Sequence, residues 1–103
     1  MAYKLNISKD VHNDIDSIVT YISHELKGLQ AADSFLDDIE KSYRNIVDNP
    51  FMYALCNDEL LHRKEYRKIT IKNYLIFYRI DEPTKTVFVV RIIYSARDYA
   101  NLL

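Results

Sequence analysis

The chain has one glycine and one cysteine in 103 residues, and each scarcity rules something out. With Gly28 alone, neither the phosphate-cradling loop G-x-x-x-x-G-K nor the dinucleotide fingerprint G-x-G-x-x-G can be assembled, because both need several backbone positions free of a Cβ. Cys56 alone forms no internal disulfide and no cysteine-based zinc site, and it reads as a partly buried thiol. His12, His24 and His62 are scattered along the chain without an H-E-x-x-H motif or a His/Cys cluster, so no metal site is expected. None of the serines along the helical stretch sits in a G-x-S-x-G elbow. No apolar run approaches the roughly 20 residues that a membrane span needs, and the segment Tyr3 to Ile7 alternates too early for a signal peptide. The expectation is a cytoplasmic chain with no cofactor and no membrane partner.

Hydrophobic residues make up 49% of the chain and charged residues 28%, a balance that folds throughout and leaves no disordered linker. The length suits one domain over residues 1–103. The net charge of −1 hides an asymmetry. Residues 1–61 carry five Lys/Arg against eleven Asp/Glu, a net of −6, and residues 62–103 carry nine against four, a net of +5. Such a split points either to an anionic partner for the basic half, nucleic acid being the usual one, or to solvated surfaces of opposite sign that attract each other in the fold.

Along the chain, Tyr3 to Ile7 has the alternation of a half-buried strand, which Ser8 ends and caps. Val11, Ile15, Ile18, Ile22 and Leu26 then draw one apolar stripe along a helix, with Asp10, Asp14 and Asp16 favouring the dipole at its start. Gly28 is expected to close that helix in a positive-φ conformation. Ala32, Phe35, Ile39, Tyr43 and Ile46 form a second helical stripe that stops at Asn49-Pro50. Residues 51–62 read as an irregular crossing with one helical turn. Strands follow at Tyr66 to Ile71, Tyr74 to Ile80 and Thr86 to Tyr94, the first two joined by Lys72-Asn73, where Asn73 suits positive φ. The last strand is too continuously apolar for an edge and belongs at the centre of the sheet. The predicted fold class is α+β, a two-helix hairpin packed on an antiparallel β-sheet in the order β-α-α-β-β-β, with a short C-terminal helical turn.

Chemistry-bearing residues concentrate in the basic half: Arg67, Lys68, Lys72, Arg79, Arg91, Tyr94, Arg97 and Tyr99, with Tyr66, Tyr74 and Tyr78 among them. Cations interleaved with tyrosines suit a nucleic-acid surface, the cations on phosphates and the rings on bases. The same types could cut RNA without metal, a Lys or Tyr taking the 2′-hydroxyl proton and an Arg stabilising the phosphate. Strand alternation, however, puts Arg67 and Lys68 on opposite faces, and tyrosines and long cations also serve simply as strand formers and edge cover. Arg91 interrupts an apolar central strand, so it is either salt-bridged or poised for a function.

The run from Tyr66 to Asp81, then Val87 to Tyr94, then Ser95-Ala96-Arg97-Asp98 with Leu102-Leu103, resembles the C-terminal half of RelE/ParE toxins. Phe35, Ile39 and the Asn49-Pro50 break agree with the first half. The resemblance implies a toxin of a bacterial type II toxin-antitoxin system whose cognate antitoxin wraps it. RelE-like nucleases of that superfamily carry basic residues before the hairpin, a Tyr-Arg pair on the next strand, an arginine after the last strand and a terminal aromatic. Arg67 and Lys68 stand for the first and Arg97 for the third, so these three are the catalytic candidates. Leu75 follows Tyr74 where the arginine would be, and Asn101-Leu102-Leu103 offers no aromatic; Arg79 and Tyr99 are near these positions without matching them. The ending is closer to the ParE branch, which implies inhibition of DNA gyrase, with Lys72, Arg79, Arg91, Tyr94 and Tyr99 as target-binding candidates. The alternatives are a ribosome-dependent mRNA endonuclease and a non-toxic, antitoxin-binding regulatory homologue.

Overall fold

A computed structural model describes residues 2–25 and 28–103. The elements are β1 (Lys4–Ile7), α1 (Lys9–Glu25), α2 (Leu29–Asp48), α3 (Glu59–Arg63), β2 (Arg67–Ile71), β3 (Tyr74–Asp81) and β4 (Thr86–Tyr94), with 3₁₀ turns at Pro50–Met52 and Tyr99–Asn101. Their order is the expected one. Leu26, the last residue of the expected first stripe, lies outside the described residues.

One residue makes the passage from β1 to α1. The Ser8 hydroxyl accepts the Val11 N–H at 3.3 Å, capping the helix, and donates to the Val90 carbonyl at 3.0 Å. The helical stripes are buried as their periods require, through Val11, Ile18 and Ile22 on α1 and Ala32, Phe35, Ile39 and Ile46 on α2. They cover one face of the sheet, packing on Ile69, Ile71, Ile76, Tyr78, Val87, Val89 and Ile92. The opposite face is covered only in part. There Leu75, Phe77 and Ile93 pack with Cys56, Leu61 and, from the tail, Tyr99, Leu102 and Leu103.

Four expectations are corrected. The sheet order is β1-β4-β3-β2, with β1 parallel to β4 and the other pairs antiparallel, so the sheet is mixed and not wholly antiparallel. The reason is the crossover: β1 is separated from β4 by both helices and two strands, a connection long enough to bring β4 alongside β1 in the same direction. Gly28 has φ −129° and caps the start of α2, its carbonyl accepting the Ala32 N–H at 2.9 Å, so it takes no left-handed conformation. In the β2–β3 turn it is Lys72, at φ 53°, that takes positive φ, and not Asn73. Cys56 is fully buried, at 1% exposure, rather than partly. The irregular crossing holds the 3₁₀ turn at Pro50 and the single turn of α3, which Asp58 caps by accepting the Leu61 N–H at 3.1 Å.

β4 is central, as its composition demanded, and it contains a bulge. Phe77 faces Arg91 and Tyr78 faces Val89, leaving Val90 as the extra residue. The bulge lets Val89 and Ile92 both reach the helical core while Val90 and Ile93 join the other face.

Candidate functional site

β1 ends at Ile7, so beyond Val89 the edge of β4 has no strand beside it. Side chains of α1 take over that edge. The Asp14 carboxylate accepts from Arg91 Nε at 2.8 Å and Arg91 Nη2 at 2.9 Å, and its Oδ2 also accepts the Ile92 N–H at 3.0 Å. Arg91 Nη1 donates to the Leu102 carbonyl at 3.3 Å, tying the tail to the same centre. The Arg91 and Asp14 side chains are only 24% and 14% exposed. The hydrogen bonds to Asp14 are what hold the Arg91 guanidinium above its ordinary range, against the opposing effect of burial. Of the two roles open to Arg91, this geometry is that of the salt bridge. Asp14, expected only to favour the dipole of α1, was missed as this partner; the signal was its place three residues after Val11 and four before Ile18, within the apolar stripe, where an unpaired carboxylate is costly.

Of the three catalytic candidates, Arg67 and Lys68 lie on opposite faces of the sheet. Arg67 pairs in register with Tyr78 on the helical side of the sheet, where it donates to the Tyr53 carbonyl and stacks 5.0 Å from the centroid of Phe51. Next to it the Tyr78 hydroxyl donates to the Pro50 carbonyl at 2.7 Å, and burial pushes that hydroxyl up to about 12. Lys68 pairs with Phe77 on the opposite face, its Nζ 5.7 Å from the Tyr99 ring, which itself lies 5.2 Å from Phe77. Arg97 is exposed beyond β4, in the turn where its N–H donates to the Tyr94 carbonyl.

Among the target-binding candidates, Arg79 is exposed on the face away from the helices, 5.8 Å over the Phe88 ring. Lys72 and Tyr94 come together elsewhere, at the end of the molecule where the β2–β3 turn meets the helical hairpin. There Tyr21, Ile22, Ala31, Lys72, Asn73, Tyr74 and Tyr94 line a cleft of about 580 Å³. Tyr74 forms its floor, edge-on to Phe35 at 5.3 Å and to Tyr94 at 5.8 Å. Burial, then the neighbouring Tyr21 and Tyr94 hydroxyls, raise the Tyr74 hydroxyl above its usual range. Lys72 Nζ donates to Ser34 Oγ on α2 at 3.2 Å. Tyr21 is half exposed and was not singled out from the sequence; the only signal was a large aromatic just outside the apolar stripe of α1. Among the described residues no group of His, Cys, Asp and Glu could hold a metal ion, and no helix is long and apolar enough to cross a membrane.

A family model described as the ParE toxin of the type II toxin-antitoxin system parDE matches residues 5–99. No curated protein sequence matches the chain. Among solved structures, a chromosomal ParDE system from P. aeruginosa is similar at TM-score 0.71 and 18% identity, over 90% of this chain and 96% of that one. A mutant of the E. coli toxin RelE in the free state gives 0.69 and 14%, over 99% and 93%. The intact E. coli RelBE toxin-antitoxin complex gives 0.63 and 15%, over 93% and 100%. At such identities these likenesses carry the fold.

Proposed function

This chain belongs to the ParE toxin family of type II toxin-antitoxin systems, and from that premise we propose that it acts by binding, with DNA gyrase as its target and a cognate antitoxin as its neutralising partner. The observation that carries this reading is the separation of the nuclease candidates. A metal-independent ribonuclease needs a base, an acid and a phosphate-stabilising cation within reach of one scissile bond. Arg67 is held to the Tyr53 carbonyl on one face of the sheet, Lys68 lies under Tyr99 on the other, and Arg97 stands beyond β4. With Arg67 and Lys68 turned to opposite faces of the sheet, the set is poorly placed to act on one phosphate, which favours binding over cleavage.

In this reading Lys72, Arg79, Tyr94 and Tyr99 contact the target and Arg91 holds the scaffold behind them. A supercoiling assay with purified gyrase is the test. Inhibition at micromolar protein is expected. Absence of inhibition at that concentration, together with new cuts in translated messenger RNA by primer extension after induction, would replace the binding mechanism with the ribosome-dependent endonuclease. Growth that continues after induction without an antitoxin would leave the regulatory homologue as the better account.

A further inference from the structure

Residues 95–103 leave β4 and pack on the face of the sheet that the helices do not cover. Ser95 is still tied to the β2–β3 turn, its N–H donating to the Asn73 carbonyl at 2.8 Å. Beyond it the backbone bonds are local: Arg97 donates to Tyr94, Tyr99 to Arg97 and Leu102 to Tyr99. Side chains hold the segment down. The Tyr99 ring lies 5.2 Å from Phe77, with the Lys68 amine 5.7 Å from its centroid, and Leu102 and Leu103 pack on the same cluster. A charged tie comes from Arg91, whose Nη1 donates to the Leu102 carbonyl at 3.3 Å while Asp14 engages Nε and Nη2.

We propose that residues 96–103 are a strap that opens and closes over the sheet while the rest of the fold stays intact, and that Arg91, held by Asp14, is its latch. Closing fixes the backbone of several residues, and the entropy lost is offset only by the burial of Tyr99, Leu102 and Leu103 and by one long hydrogen bond. Those three side chains stay partly exposed even when packed. Phe77 beneath them is fully buried, so the open strap uncovers an apolar ring and frees Tyr99. Asp14 is a positioning residue in this device: its two bonds to the guanidinium fix the plane that leaves Nη1 facing the tail. A lysine amine could meet Asp14 but could not span both acceptors. Where Tyr99 meets the target, the apparent Kd is the intrinsic one divided by the open fraction, a consequence that rests on the reading above, whereas the strap itself does not.

The test is native-state hydrogen exchange of the full chain, read by NMR at the Leu102 amide and along the β3–β4 ladder as urea rises below the unfolding transition. Leu102 is expected to be protected, yet to exchange about tenfold or more faster than the ladder and without dependence on urea. Arg91→Lys and Asp14→Asn, checked for folding by circular dichroism, should each speed Leu102 by a further factor of about three to ten. Ile39→Val, on the helical side of the sheet, should speed the ladder and leave Leu102 unchanged, which separates a latch from a general loss of stability. Exchange of Leu102 in step with the ladder, or no protection there at all, overturns the strap. An unchanged Leu102 rate in the folded variants overturns the latch. If neither variant folds, the pair is a tie of the whole fold and the latch falls. Exchange is read without gyrase, so the strap and the supercoiling result can fail separately.

Discussion

Replacing Asp14 by alanine is expected to be among the most damaging single changes outside the apolar core. The carboxylate accepts three hydrogen bonds, two from the Arg91 guanidinium and one from the Ile92 N–H. Removing one partner of a fully buried pair costs roughly 3–5 kcal/mol, most of it from the charge left behind. Arg91 keeps 24% of its surface and can turn partly to water, so a smaller loss of about 2–3 kcal/mol is expected. For a domain of this size that is a fall in Tm of roughly 10–20 °C. Asp14→Asn retains the shape and should lose less. Urea unfolding of Asp14→Ala, Arg91→Ala and the double variant gives the coupling directly, and about 1.5 kcal/mol or more is expected from it. The Arg44–Glu40 pair, with side chains 60% and 70% exposed, is the control, and Glu40→Ala should change stability by no more than about 0.5 kcal/mol. A loss below about 1 kcal/mol for Asp14→Ala, with no coupling to Arg91, would refute the reasoning.

The Tyr43 hydroxyl is buried without a hydrogen-bond partner, so Tyr43→Phe should leave stability unchanged or raise it by up to about 1 kcal/mol, whereas Tyr78→Phe, which loses the bond to the Pro50 carbonyl, should lower it by about 1 kcal/mol; denaturant melts compare the two. Burial pushes both of these hydroxyls up to about 12, against about 10 in an unfolded chain. The folded state therefore holds two protons that the unfolded state releases first, so stability should be intact below about pH 10 and fall as pH rises toward 12, by at most about 1.4 kcal/mol per pH unit for each ring. Melting curves across that window, with tyrosinate absorbance as a second probe, check the direction; a flat profile would contradict it. Glu65 sits at φ 61° with a Cβ, so Glu65→Gly should raise the urea midpoint by the equivalent of about 0.5–1 kcal/mol while Glu65→Val lowers it.

The two helical stripes and the centrality of β4 were legible because each is a matter of periodicity or composition over many residues. The parallel pairing of β1 was not, since a four-residue strand carries no mark of which neighbour it will take. Turn geometry misled for a related reason. Glycine and asparagine are the residues that enter positive φ at least cost, yet Glu65, Lys72 and Lys85 are the ones that do so here, because strand register fixes where each turn must fall. At the site, alternation correctly separated Arg67 from Lys68. What it could not give was the meeting of Lys72 and Tyr94 with Tyr21, which depends on how the helical hairpin lies over the end of the sheet. Arg91 was visible as an anomaly, but the partner that resolves it lies 77 residues away.

The parallel ladder between β1 and β4 also sets a timetable. Lys4 pairs with Thr86, and Ser8 reaches across 82 residues to the Val90 carbonyl, so the sheet closes only when two distant stretches of the chain meet. Such closure is slow, because the loop entropy is lost before the contacts that offset it are made. During synthesis, β1, the helices and the β2–β3 hairpin all leave the ribosome before the strand that joins them. Until β4 is complete at Tyr94, neither the Asp14–Arg91 pair nor the aromatic cleft exists. Before β4 emerges the chain therefore holds its helices and its hairpin but not the strand against which both assemble.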